Sequence, residues 1–183
     1  MHRGRLTLSS HTGGHPASMS NWSPSPISQA PYPPRTSGAS EILSRLYVSD
    51  ISFAENPAAL ATLGITHILS AMRGYVAIPH ELPIHRAQYP LEDLPFSELA
   101  AHLPSTTAFI RSALHDPNTR VLVHCMEGIS RSTSVVCAFL IAEYGWTPAQ
   151  AIQYVKTRRR SAEPNFGFVQ QLQEYADSLR RQS

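Results

Sequence analysis

The chain has 183 residues, 15 prolines, only 2 cysteines and a formal net charge of +2. That length suits one domain plus a tail, and so small a charge gives no reason to expect nucleic acid or a membrane surface as partner. Two cysteines make neither a disulfide framework nor a zinc site, and no apolar run nears the ~20 residues of a membrane span.

Residues 1–39 stand apart in composition. They hold Pro16, Pro24, Pro26, Pro31, Pro33 and Pro34 among many serines, and no acidic residue precedes Glu41. Such a segment buries too little apolar surface to offset its ordering entropy, so a disordered tail is expected. The start lacks the apolar stretch of a signal peptide. A catalytic domain is expected over residues 40–181.

Residues 42–50 carry an apolar stripe and read as a strand. Asn56, Pro57 and Gly64 bracket a short helix as N-cap, first-turn proline and stop. Strands are expected over residues 65–71 and 84–91, then a helix over residues 97–115 that Pro104 divides or weakens. Asp116-Pro117-Asn118 turns the chain back. The short apolar run Val121-Leu122-Val123 reads as a buried strand, and Ser132 onward as a long buried helix. Thr147 and Pro148 open another helix, which ends in Lys156-Thr157-Arg158-Arg159-Arg160, read as a solvated basic end. A last helix runs from Phe166 to about Arg180. Strands alternating with helices predict an α/β fold, with a central, mostly parallel sheet covered by helices on both faces.

Between the strand at 121 and the helix at 132 lies His124-Cys125-Met126-Glu127-Gly128-Ile129-Ser130-Arg131-Ser132. A strand, a tight loop and a helix N-terminus turn backbone N–H groups toward an anion. A thiol at the mouth of that loop faces those N–H groups, the helix dipole and the arginine, all of which favour its anionic form. The same groups suit a phosphate, whose oxygens fit the Arg131 fork. Gly128 frees the turn, whereas Cys137, inside the apolar helix, reads as a small core residue.

This stretch resembles the signature of cysteine-dependent protein tyrosine phosphatases, and its S-R-S ending the dual-specificity branch. The closing P-N-F-G-F-V-Q-Q-L (residues 164–172) and Leu91-Glu92-Asp93-Leu94-Pro95 resemble two further family segments. The resemblance spans residues 42–179 and implies a protein tyrosine phosphatase-like fold with a strand, phosphate loop and helix at its active site. It implies hydrolysis of phosphotyrosine and phosphoserine/threonine in phosphoprotein substrates through a cysteinyl-phosphate, without cofactor or metal.

Cys125 is the candidate nucleophile. Backbone N–H groups of Met126, Glu127, Gly128, Ile129, Ser130 and Arg131, with the Arg131 side chain, are expected to bind the phosphoryl oxygens. The family segment makes Asp93 the favoured general acid; Glu92 is its rival and Asp116 a third candidate. Ser132 is placed to hydrogen-bond the sulfur and help it leave. His124, on the opposite strand face from the thiol, is expected to support the loop by hydrogen bonds, as is Asn165. A free thiol nucleophile calls for a reducing compartment, cytosol or nucleus. Two other readings remain open: a phosphatase for a lipid, glycan or RNA-end phosphate, and a phosphoprotein-binding module with little turnover. The binder is expected to lack the cysteine or the arginine, and this chain keeps both.

Overall fold

The structure, a computed structural model, describes residues 38–182. Of the expected tail only Gly38 and Ala39 fall within it; the remainder lies outside the described residues.

Where one strand was expected over residues 42–50 there are two. β1 (Ser40–Leu43) pairs antiparallel with β2 (Leu46–Ser49) across Ser44 and Arg45. Arg45 takes the left-handed region at φ 69°. It gives its N–H to Glu41 Oε1 at 3.0 Å and its guanidinium to the carbonyls of Leu114, Asp116 and Thr119. Those bonds offset a backbone conformation that non-glycine residues avoid. The reversal keeps Ile42, Leu46 and Val48 in one core cluster, which is why the stripe reads as unbroken.

Asp50 then caps a one-turn helix, α1 (Ile51–Ala54), taking the Phe53 N–H at 2.9 Å. Next comes α2 (Pro57–Leu63), capped by Asn56 and ended by Gly64 in the left-handed region, as its sequence signals require. β3 (His67–Ala71) and β4 (His85–Tyr89) follow. The helix expected over residues 97–115 divides at Pro104: a 3-10 turn (Ala100–His102) leads into α3 (Leu103–His115). Pro104 lies in the first turn of α3, where its missing N–H removes no helical bond. β5 (Val121–His124) precedes α4 (Arg131–Tyr144), α5 (Pro148–Arg158) and α6 (Phe166–Gln182). Thr147 and Gln150 complete a capping box at the start of α5.

The sheet order is β1-β2-β5-β3-β4, and every pairing except β1 with β2 is parallel. Alternating residues face opposite layers, as the two-residue period of a strand demands. Leu46, Val48, Leu69, Val121 and Val123 share a core with α3, α4, α5 and α6, while Tyr47, Ile68 and Leu122 pack with Ala54 of α1 and Leu60 of α2. Each residue of α4 from Ser132 to Ile141 is buried. The central strand and this central helix thus fix both ends of the loop between them. No helix among the described residues is long and apolar enough to cross a membrane.

Candidate active site

The loop after β5 is gripped by its carbonyls. Met126 O accepts the Ile51 N–H at 3.2 Å, and Ile129 O accepts the Glu163 N–H at 2.9 Å. Gly128 O accepts Arg159 Nε at 2.7 Å, and Glu127 O accepts Arg159 Nη2 at 3.4 Å. No described peptide bond is cis, and in a trans peptide the N–H of the next residue points opposite to the carbonyl. Turning these four carbonyls outward therefore turns the N–H groups of Glu127, Gly128, Ile129 and Ser130 inward. Direct contact bears this out for Gly128, whose N–H donates to Cys125 Sγ at 3.2 Å.

Cys125 lies at the floor of this ring and is only 1% exposed. Ser132 Oγ, in the first turn of α4, is 3.3 Å from the sulfur. Arg131 reaches from the end of the loop to the acid segment: its Nη1 donates to Leu91 O at 3.4 Å, and its Nε is 3.4 Å from Asp93 Oδ2. That separation makes an ion pair, yet the buried Nε has no hydrogen-bond partner of good geometry among the described residues. An N–H left unsatisfied in this way costs about 1–3 kcal/mol, and a phosphoryl oxygen would satisfy it.

Of the three carboxylates considered from sequence, Asp93 alone reaches the loop. Its Oδ1 accepts Ser130 Oγ at 2.6 Å and Asn165 Nδ2 at 2.9 Å. Glu92 turns the other way and pairs with Arg73 at 3.1 Å on the surface. Asp116 serves its own turn, taking the Asn118 N–H at 2.8 Å. Asn165 ties three parts together: besides Asp93, its N–H donates to Ser130 Oγ at 3.1 Å and its Oδ1 accepts the Phe168 N–H of α6 at 2.9 Å.

His124 is fully buried, with Nε2 2.7 Å from Ser70 Oγ on the neighbouring strand. Burial lowers its pKa to about 4, more than the Cys125 carbonyl, Glu55 and Asp50 raise it. The ring is thus neutral at physiological pH and bonded on the sheet face away from the thiol. Burial pushes the Cys137 thiol up to about 12, which leaves it an inert core residue.

A family profile for the dual specificity phosphatase catalytic domain matches residues 46–178. The chain belongs to the dual specificity phosphatase family. Mouse (Mus musculus) dual specificity protein phosphatase 13B is 37% identical over 150 residues, 78% of this chain and 75% of that protein. Among solved structures, human DUSP28 matches with a TM-score of 0.72 at 32% identity, covering 79% of this chain and 99% of that one. The human tyrosine phosphatase-like serine/threonine/tyrosine-interacting protein matches with a TM-score of 0.72 at 31% identity, covering 78% and 97%. As a dual specificity phosphatase the chain is a phosphoric monoester hydrolase, acting on phosphotyrosine and phosphoserine/threonine of phosphoproteins.

One residue of this phosphatase's loop support escaped the sequence reading. Arg159, expected in a solvated basic end, is only 3% exposed. Besides its two loop carbonyls it bonds Gly38 O at 3.1 Å and Ser40 Oγ at 3.3 Å, joining the phosphate loop to the first strand. Burial pulls its guanidinium below the ordinary value, while the charges of Asp50 and Cys125 oppose that shift. A signal for it was present: Arg159 continues the four-residue stripe of buried Ala151 and Val155, which Arg158 and Arg160 do not. Gly128 faces the same guanidinium. It takes φ 68°, and a Cβ there would lie 2.5 Å from Arg159 Nη2 and 2.6 Å from Ser49 O.

Proposed function

We propose that Cys125, Arg131, Asp93 and Ser132 carry out a two-step phosphoryl transfer in this phosphatase. The Cys125 thiolate attacks phosphorus, an S–P bond forms and the ester P–O bond breaks. The freed electron pair passes to the leaving oxygen, which takes a proton from Asp93. The inward N–H groups of Glu127, Gly128, Ile129 and Ser130, with the Arg131 guanidinium, hold the equatorial oxygens as charge redistributes. Once the phosphoryl group occupies Arg131, Asp93 Oδ2 loses its ion-pair partner and is free to carry the proton that the leaving oxygen needs. In the second step water attacks phosphorus and gives its proton to Asp93. The S–P bond breaks and its electron pair returns to sulfur, which the Gly128 N–H and the Ser132 hydroxyl are placed to receive.

The observation that carries this reading is the position of Cys125 Sγ, 3.2 Å from Gly128 N and 3.3 Å from Ser132 Oγ, in a loop that ends at an arginine paired with Asp93. Residues 40–181 are taken as the catalytic domain, working in the reducing cytosol or nucleus. Cys125→Ser is expected to abolish hydrolysis of phenyl phosphate while phosphopeptide binding survives, and chelators to leave the wild type active. Hydrolysis by the serine variant at the wild-type rate overturns the mechanism.

A further inference from the structure

Three large apolar side chains in and beside the acid segment are exposed. Leu94 is 55% exposed, Phe96 90% and Phe166 65%. These side chains come from segments distant in sequence, yet one backbone contact gathers them. A Cβ on Gly167 would run into the Pro95 carbonyl oxygen and come within 2.6 Å of the Pro95 carbonyl carbon. Leu94 and Phe96 flank Pro95, and Phe166 precedes Gly167, so all three lie one residue from that contact. The hydrogen bond from Asn165 Nδ2 to Asp93, 2.9 Å long, closes the same junction on its other side. Asp93 thus has exposed apolar residues next to it in the chain, at Leu94, and next to its partner Asn165, at Phe166.

Exposing such side chains forfeits the burial that normally holds them in a core. Apolar residues clustered beside a reaction centre mark a surface that a partner covers. The occupant follows from the chemistry already described. A phosphoprotein must bring its phosphoryl group to Cys125 and its leaving oxygen to Asp93, so residues flanking the phosphorylated one pass over whatever borders Asp93. We infer that Leu94, Phe96 and Phe166 form a platform that selects phosphoproteins bearing a large apolar side chain beside the phosphorylated residue. This inference rests on the phosphoprotein reading of the active site. The platform contacts the peptide and not the reacting atoms, so its effect falls on kcat/KM for peptides and spares substrates that lack flanking residues.

The test uses the full chain with two phosphopeptides of one sequence, differing only in leucine or serine beside the phosphorylated residue, and 4-nitrophenyl phosphate as reference. Wild type is expected to favour the leucine peptide about tenfold in kcat/KM, the scale of one part-buried apolar side chain. Phe96→Ser and Phe166→Ser should each lower the leucine peptide more than 4-nitrophenyl phosphate and move the peptide ratio toward one. Phe96→Leu, which keeps an apolar surface, should retain most of the preference. Equal hydrolysis of both peptides by wild type overturns the platform and leaves the phosphatase reading intact. An equal fall on both peptides that spares 4-nitrophenyl phosphate shows instead that Phe96 and Phe166 act through the placement of Asp93, and also overturns it. Hydrolysis of 4-nitrophenyl phosphate with neither peptide touched overturns the phosphoprotein reading, and the platform with it.

Discussion

The phosphate loop and the acid segment serve one reaction, but they are held by different means. In the loop the anchors are backbone groups: the carbonyls of Met126, Glu127, Gly128 and Ile129 are bonded to the start of α1, to Arg159 and to the Glu163 N–H. In the acid segment the reacting group is itself an anchored side chain. Ser130 and Asn165 hold the Asp93 carboxylate, and Gln171 of α6 clamps the stretch after it, donating to Ser97 O and accepting the Ala100 N–H, both at 2.8 Å. A scaffold built on backbone leaves the side chains at 126, 127 and 129 unconstrained, and makes the loop's shape depend on what permits the backbone path. A segment held by side chains depends on a few residue identities and can shift without breaking the loop. The two regions should therefore fail in distinguishable ways.

The largest effect is expected where the backbone path itself is denied. Gly128→Ala would add a Cβ 2.5 Å from Arg159 Nη2 and 2.6 Å from Ser49 O, at a φ of 68° that alanine resists. The positive φ alone costs about 1–3 kcal/mol, and the collision adds to it because Ser49 O is backbone. Loss of hydrolysis is expected for good and poor leaving groups alike, with a lower melting temperature. Wild-type rates in that variant would mean that the loop does not depend on this approach.

Asp93→Asn should separate the regions by leaving group. An acid assists only an oxygen that needs a proton, and such catalysis is worth roughly a hundredfold to ten-thousandfold. Phenyl phosphate should suffer by about that factor, and 4-nitrophenyl phosphate, whose leaving group is a stable anion, far less. Glu92→Gln should change neither, because Glu92 pairs with Arg73 away from the loop. The reverse pattern would reassign the acid.

Gly167→Ala probes the same segment through its support, and its effect should be smaller because the carboxyl remains. The added Cβ collides with Pro95 and pushes the acid segment off α6. A displacement near 1 Å costs on the order of tenfold to a hundredfold, again greater on phenyl phosphate than on 4-nitrophenyl phosphate. Equal loss on both would show that the junction of Pro95 and Gly167 supports the whole fold and not the acid alone.

These contrasts follow how much was legible in the sequence. The mostly parallel sheet and the long buried helix could be read because Val121-Leu122-Val123 and residues 135–142 are unbroken apolar runs. The H-C-M-E-G-I-S-R-S stretch fixed the loop's place between them. The hairpin could not be read, because reversal at Arg45 leaves Ile42 and Leu46 on the same face and the alternation unbroken. α1, a single turn, is too short to show a helical period. Arg159 was hidden among like charges, since a basic run shows its charge and not its phase, although spacing from Val155 carried the phase. The apolar character of Phe96 and Phe166 was visible, but their exposure was not, because it arises where residues distant in sequence meet. Asp93 stood apart from Glu92 by resemblance alone until geometry brought one to the loop and turned the other away.

The smallest effect is electrostatic and tests how the loop's strand is seated. His124 is buried and bonded to Ser70 as a neutral ring, with a folded pKa of about 4 against an ordinary value of 6.5. Between those values the unfolded chain binds a proton that the folded chain does not, so stability falls as pH drops through that window and is unaffected above it. The expected loss is about 1 kcal/mol at pH 6 and about 2 to 3 kcal/mol at pH 4.5. Near pH 5 the slope of unfolding free energy against pH should carry about one proton from this group, roughly 1.4 kcal/mol per pH unit. His124→Asn should lower that slope by the same amount, whatever it does to the baseline, and denaturant melts across the window would read it. An unchanged slope would mean that the imidazole takes up its proton in the fold as readily as in the open chain. In that case the strand beneath Cys125 is not sealed from water, and the loop's rigidity must come from the carbonyl anchors on its outer side alone.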